Sequence, residues 1–288
     1  GGNRISNVGN PTSALDAVNY SFMTNYVSTN AGGTPFAQLR QDPVTLAVSE
    51  NNTAQALGRK SHAEGYTTTA SEFASHAEGV RTIADGEGAH AEGEETRSDG
   101  YGAHAEGLET LAEGDGAHAE GWGTSAKYHG AHAEGFTTWA DERASHSEGK
   151  YTWAGGEAAH SEGELTEATG YAAHAEGFET KSGGYYSHTE GIQTAAAGEA
   201  GHAEGGSTTA QGDFSHAAGV NAVAAHHNTF VWSSSDDDWN EVSSTKERQF
   251  TVYAQNGIRL LGGEIEGNGS KLTFTNATDV PMGSYTNK

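Results

Sequence analysis

The sequence predicts an all-β protein, a parallel β-roll or solenoid of about twelve short coils stacked along one axis. Three observations point there: a period of 14 residues, glycine in every repeat, and a hydrophobic content of 34%. With 41 glycines and so few apolar side chains, a thick core of Leu, Ile, Val and Phe is out of reach. The buried interior has to be thin and lined by small side chains.

The period is carried by His62, His76, His90, His104, His118, His132, His146, His160, His174, His188, His202 and His216, spaced by 14 with no insertion or deletion. Each is preceded by Ser, Ala or Gly and followed by Ala, Ser or Thr, then Glu-Gly; only at the last does Ala218 replace the glutamate. A weaker half-repeat lies between, as in Thr82-Ile83-Ala84-Asp85-Gly86 and Thr110-Leu111-Ala112-Glu113-Gly114. A trace of it at Ala54-Gln55-Ala56-Leu57-Gly58 sets the first coil near residues 45 to 55.

Strand side chains alternate between faces, so Ser75, Ala77 and Gly79 share one face, and His76 and Glu78 the other. Thr82 and Ala84 join the small set by the same parity. Two short strands and two tight turns use up one repeat, and the coil is too flat for an inward side chain larger than Ala, Ser or Thr. Glycine suits turns that need a positive φ. A helical reading fails: 14 residues make two heptads, but the apolar seam of a coiled coil is missing.

A net charge of −24, from 39 acidic and 15 basic residues, excludes a nucleic-acid backbone as a natural partner and argues against an anionic membrane. Strict periodicity argues against disorder, which charge and low hydrophobicity would otherwise suggest. Cysteine is absent, so disulfides, thiolate metal sites and cysteine nucleophiles are excluded together. No run is long and apolar enough for membrane insertion, and the amino end lacks the hydrophobic stretch of a signal peptide.

One flat coil buries little apolar area against an ordering cost of about 1–2 kcal/mol per residue. Association is expected to supply the missing burial, and a parallel homotrimer would cover the same face of every coil at once.

The alternation of S-x-A-x-G and T-x-A-x-G with a 14-residue period resembles the head repeats of trimeric autotransporter adhesins over about residues 48 to 225. That resemblance implies a left-handed β-roll packed as a trimer. The family commonly carries Val and Ile where this chain has His and Glu. The Ser-His-Ala-Glu-Gly variant is similar to repeats of bacteriophage tail and neck fibres. Asn10-Pro11, Asp16-Ala17-Val18 and Tyr26-Val27 resemble a linker of phage fibre proteins, and Asn228-Thr229-Phe230-Val231-Trp232 adds to that likeness.

The chain divides into three regions. Residues 1–47 form an amino-terminal trimerisation or attachment segment, with a short helix capped by Thr12 or Ser13 and striped by Leu15, Val18, Phe22 and Tyr26. Residues 48–227 form the roll. Residues 228–288 form a β-rich cap or transition segment, with strands expected at Thr229-Phe230-Val231-Trp232, Gln249-Phe250-Thr251-Val252-Tyr253, Gly257-Ile258-Arg259-Leu260-Leu261 and Leu272-Thr273-Phe274. A receptor-binding or self-cleaving part is expected to follow in a longer product.

The chemistry concentrates in the histidines and in Glu64, Glu78, Glu92, Glu106, Glu120, Glu134, Glu148, Glu162, Glu176, Glu190 and Glu204. Imidazole and carboxylate are good ligands for zinc or nickel. A metal cage, however, needs three or four convergent groups, and this pattern distributes equal pairs along a rod. The sequence therefore predicts a structural His–Glu hydrogen-bond ladder and assigns no metal and no cofactor. Burial pushes such histidines toward neutrality and carboxylates push them toward charge, so the sequence leaves the sign open.

No catalytic residue is assigned, because every glutamate copies its neighbours and no nucleophile or phosphate-loop motif occurs. Asp236, Asp237 and Asp238 beside Trp232 and Trp239 read as an acidic surface loop. Candidate surface-binding residues are Trp122, Phe136, Trp139, Trp153 and Phe178, whose rings suit carbohydrate or protein partners or packing between subunits. The expectation is a non-enzymatic, trimeric phage fibre or spike on the virion surface, contacting other virion proteins and a host-surface carbohydrate or protein. The alternatives are a bacterial surface adhesin head and, behind it, a polysaccharide depolymerase.

Overall fold

Small and polar residues alternate through each repeat, and in the computed structural model that alternation becomes a solenoid of two parallel sheets. Residues 39–41, 48–50, 53–235, 241–256 and 258 are described. The unit Gly1–Tyr253 holds every described strand, and the unit Ala254–Lys288 contributes residues 254–256 and 258. The expected helix near residues 12–26 and the strand at 272–274 lie outside the described residues, as does all of 257–261 except Ile258.

Each histidine-motif rung gives a five-residue strand such as His90–Glu94 to a 16-stranded sheet, and nearly all give a two-residue strand such as Ile83–Ala84 to a 14-stranded sheet. Pairing is parallel and in register with the repeat: His104 lies opposite His90 and His118, and Glu106 opposite Glu92 and Glu120. The exception is Leu39–Gln41, which pairs antiparallel to Val48–Glu50. Among the described residues there is no helix. The parallel stack begins at Val48–Glu50 and Gln55–Ala56, where the first trace of the repeat placed it.

Inside, alanines from both sheets stack rung on rung, with serine or threonine in a few places; Ala84, Ala91, Ala105, Ala112, Ala119 and Ala126 have no accessible surface. Thr82, Thr96, Thr110 and Thr124 are buried beside them, and among the described residues the largest fully buried side chain is Val231. The core is thus as thin as the composition required. Where serine replaces the inner alanine of a long strand, its hydroxyl finds the threonine of the same rung: Ser147 Oγ and Thr152 Oγ1 are 2.7 Å apart, as are Ser161 Oγ and Thr166 Oγ1. In the rung of Ala119, the hydroxyl of Thr124 is buried without a partner. Ala119→Ser is therefore expected to stabilise the protein by about 0.5–1.5 kcal/mol through that bond. Thermal denaturation checks it, and a midpoint no higher than the parent's would contradict the pairing.

Both corners of the rung turn through the left-handed region, mostly without glycine. Ala74, Ala144 and Ala158 hold one corner at φ of 57°, 53° and 57°; Glu95, Tyr151 and Leu165 hold the other at 56°, 55° and 60°. Each such residue costs about 1–2 kcal/mol in isolation. Rung-to-rung bonds offset it: the Glu95 amide donates to the Val80 carbonyl at 2.9 Å, and the Ala74 amide to the Arg59 carbonyl at 3.0 Å.

The glycine of the histidine motif has a different task. It lies within the long strand, at φ between 93° for Gly219 and 118° for Gly121 and Gly135. A Cβ on Gly107 would stand 2.0 Å from the carbonyl oxygen of Gly121 in the next rung. Here glycine sets how closely two backbones approach, beyond the turn-making role expected for it.

The stack does not stop at residue 227. Phe230–Ser234 pairs in parallel with His216–Val220, and Phe250–Tyr253 pairs with Phe230–Ser234. Residue 227 marks a change of side chains while the rung geometry carries on.

Candidate functional site

The long strand turns histidine and glutamate outward because Ala or Ser between them turns inward. Register then places each histidine directly over the previous one. Ring centroids are 4.5 to 5.0 Å apart from His62 to His216. Most pairs are nearly parallel, within 2° for His146 and His160, while His104 and His118 tilt by 44°. Phe230 caps the column edge-on over His216, and Phe250 stacks on Phe230.

The column is half-buried, with side chains 35–38% exposed at His62, His90, His104 and His132. Nε2 faces the glutamate of the same rung at 3.4 Å for His118–Glu120 and 3.9 Å for His76–Glu78. The second separation is too long for a hydrogen bond. The Nε2 atoms of His76, His104, His132, His160, His174, His188 and His202, among others, are closed to solvent and have no hydrogen-bond partner. The expected hydrogen-bond ladder thus gives way to ring stacking along the axis, because rung spacing suits flat rings better than the strand brings imidazole to carboxylate. At the last step the motif lacks its glutamate, and His216 Nε2 reaches back to Glu204 Oε1 at 3.3 Å.

The electrostatic sign left open by the sequence follows from this geometry. Burial, then the flanking His90 and His62, lower the pKa of His76, and its glutamate neighbours counter less strongly. His104, His132, His174 and His202 are lowered for the same reasons, burial first and neighbouring histidines second. His146 is lowered by burial and then by His160. These six rings favour neutral imidazole.

The candidate binding aromatics fall on two neighbouring faces. Trp122, Phe136 and Phe178 end long strands, whereas Trp139 and Trp153 lie in adjacent short strands. Trp122 meets Phe136 edge-on at 4.9 Å, and Phe136 meets Tyr151 at 5.4 Å. Trp153 Nε1 donates to Asp141 Oδ2 at 3.0 Å. Trp122, Trp139, Trp153 and Phe178 are exposed. Sequence reasoning missed Tyr151 and Leu165, which occupy the corner slot and border an open groove with Glu167, Glu179, Lys181 and Gln193. Their signal was a bulky residue directly after the strand-end position. Trp232 is described and exposed, whereas Asp236, Asp237, Asp238 and Trp239 lie outside the described residues.

Among the described residues no helix is long and apolar enough to cross a membrane. No family model matches the chain, and no curated protein matches it.

Proposed function

We propose that this chain is a structural segment of a trimeric bacteriophage fibre or spike, a non-catalytic spacer that sets out repeated adhesion surfaces on the virion. The observation that supports this best is the register, which stacks the outward histidine and glutamate of each motif into columns along a 16-stranded sheet. Such a surface offers the same group at each rung, which suits many weak contacts in parallel; three copies multiply them. The neighbouring aromatics, Trp122 with Phe136 and Trp139 with Trp153, are the surfaces suited to a host carbohydrate or protein, and the ends of the stack are suited to other virion proteins. The likeness of the histidine repeat and of the amino-terminal linker to phage fibres favours the virion over a bacterial surface.

Two measurements test this reading. Light scattering is expected to give a mass of about 90 kDa, three times the 29.9 kDa of one chain. A folded monomer that persists at micromolar concentration would remove the trimer from the proposal. Antibody labelling of purified particles and of host envelopes tests the location. Label confined to the cell envelope would move the assignment to a bacterial adhesin head.

A further inference from the structure

The histidine column is uniform in sequence but not in geometry. At three places among the described residues a histidine, the glutamate two residues on and the next histidine bring one ligand atom each within 4.8 Å of one another: His160, Glu162 and His174; His174, Glu176 and His188; and His202, Glu204 and His216. We propose that these steps bind a borderline divalent transition-metal ion such as Zn2+, at most two per chain, through two imidazoles and one carboxylate.

Three features carry the assignment. The donor set is one that such ions take from proteins, with three protein ligands and a remaining position for water. The Nε2 atoms of His160, His174, His188 and His202 are shut off from solvent and lack any hydrogen-bond partner, so a metal would satisfy atoms that nothing else does. Finally, at the third step Glu204 already bridges two rungs by reaching His216 at 3.3 Å.

Tetrahedral zinc ligands lie about 3.3 Å apart, so the groups must close by roughly 1 to 1.5 Å, and stacked rings must tilt to aim their lone pairs at one ion. The column accommodates such tilts: interplanar angles run from 2° between His146 and His160 to 44° between His104 and His118, with strand register unchanged.

The stoichiometry follows from sharing. His174 belongs to two of the three groups, and one Nε2 ligates one ion, so those two sites exclude each other. One ion in the stretch 160–188 and one at 202–216 saturate the chain. The count is per chain and independent of the number of chains assembled.

Calorimetric titration of the untagged protein with Zn2+, with metal content measured after dialysis, is expected to give two ions per chain. His174→Gln removes both overlapping groups and should leave one. His160→Gln and His188→Gln should each leave two, while the double variant leaves one. His202→Gln should leave one, and His146→Gln should leave two. Loss of an ion in His146→Gln, retention of two in His174→Gln, a count that grows with the number of histidines, or no binding would each overturn the proposal. Because the single variants at 160 and 188 keep the count and only their combination lowers it, general damage to folding cannot imitate the pattern.

Discussion

Replacing Gly107 with alanine is expected to destabilise the solenoid by about 3 kcal/mol or more, whereas Gly102→Ala should cost only about 1–2 kcal/mol. Both residues have positive φ, 117° and 61°. At Gly102 a Cβ enters open space, and alanine already holds the equivalent corner at Ala144 and Ala158. At Gly107 the new carbon would meet the Gly121 carbonyl oxygen at 2.0 Å, and the atoms in the way are backbone. They belong to the paired strand His118–Trp122, so relief requires the ladder to open there. Thermal or denaturant unfolding of the two variants checks the contrast. Equal stabilities would mean that rungs separate without cost.

The second large effect is acid destabilisation. Histidine in the unfolded chain titrates near pH 6.5. His76, His104, His132, His146, His174 and His202 are lowered in the folded state, first by burial and then by neighbouring rings. Between the unfolded value and the lower folded values the unfolded chain binds more protons, so stability is fully present above about pH 6.5 and falls as pH falls through the folded values. Many rings acting together make the effect large, because each proton taken up raises the cost of the next along the stack. Melting temperature is expected to fall between about pH 7 and pH 5, and to fall less steeply in a variant carrying His104→Gln, His132→Gln and His146→Gln. A parent whose melting temperature is flat over that range would show that the rings are solvated rather than stacked.

Much of this was legible because parity is a local property. Thr82, Ala84, Ala89 and Ala91 could be placed inside by counting alone, and all four are buried. The extra rungs were harder to see because their residue types change while their parity persists. Thr229, Val231, Ser233 and Ser235 are buried, alternating with half-buried Phe230, exposed Trp232 and half-buried Ser234. The second role of glycine did not follow from turn chemistry: Gly102 lies at a corner with open space beside it, whereas Gly107 lies within a strand against the Gly121 backbone one rung away. The same holds for the histidines. Stacking, lowered pKa and the convergence of His160, Glu162 and His174 arise between residues 14 apart, a relation that exists only once the strands are in register.

One consequence of the register concerns inheritance. Each 14-residue unit begins and ends at the same point of the rung, and its interior is nearly the same as its neighbour's. Recombination between misaligned copies of such a gene segment would therefore delete or add whole rungs, each changing the length by about 4.8 Å, without creating a junction foreign to the fold. Length becomes a quantity that selection can adjust in equal steps, separately from what the surface columns recognise.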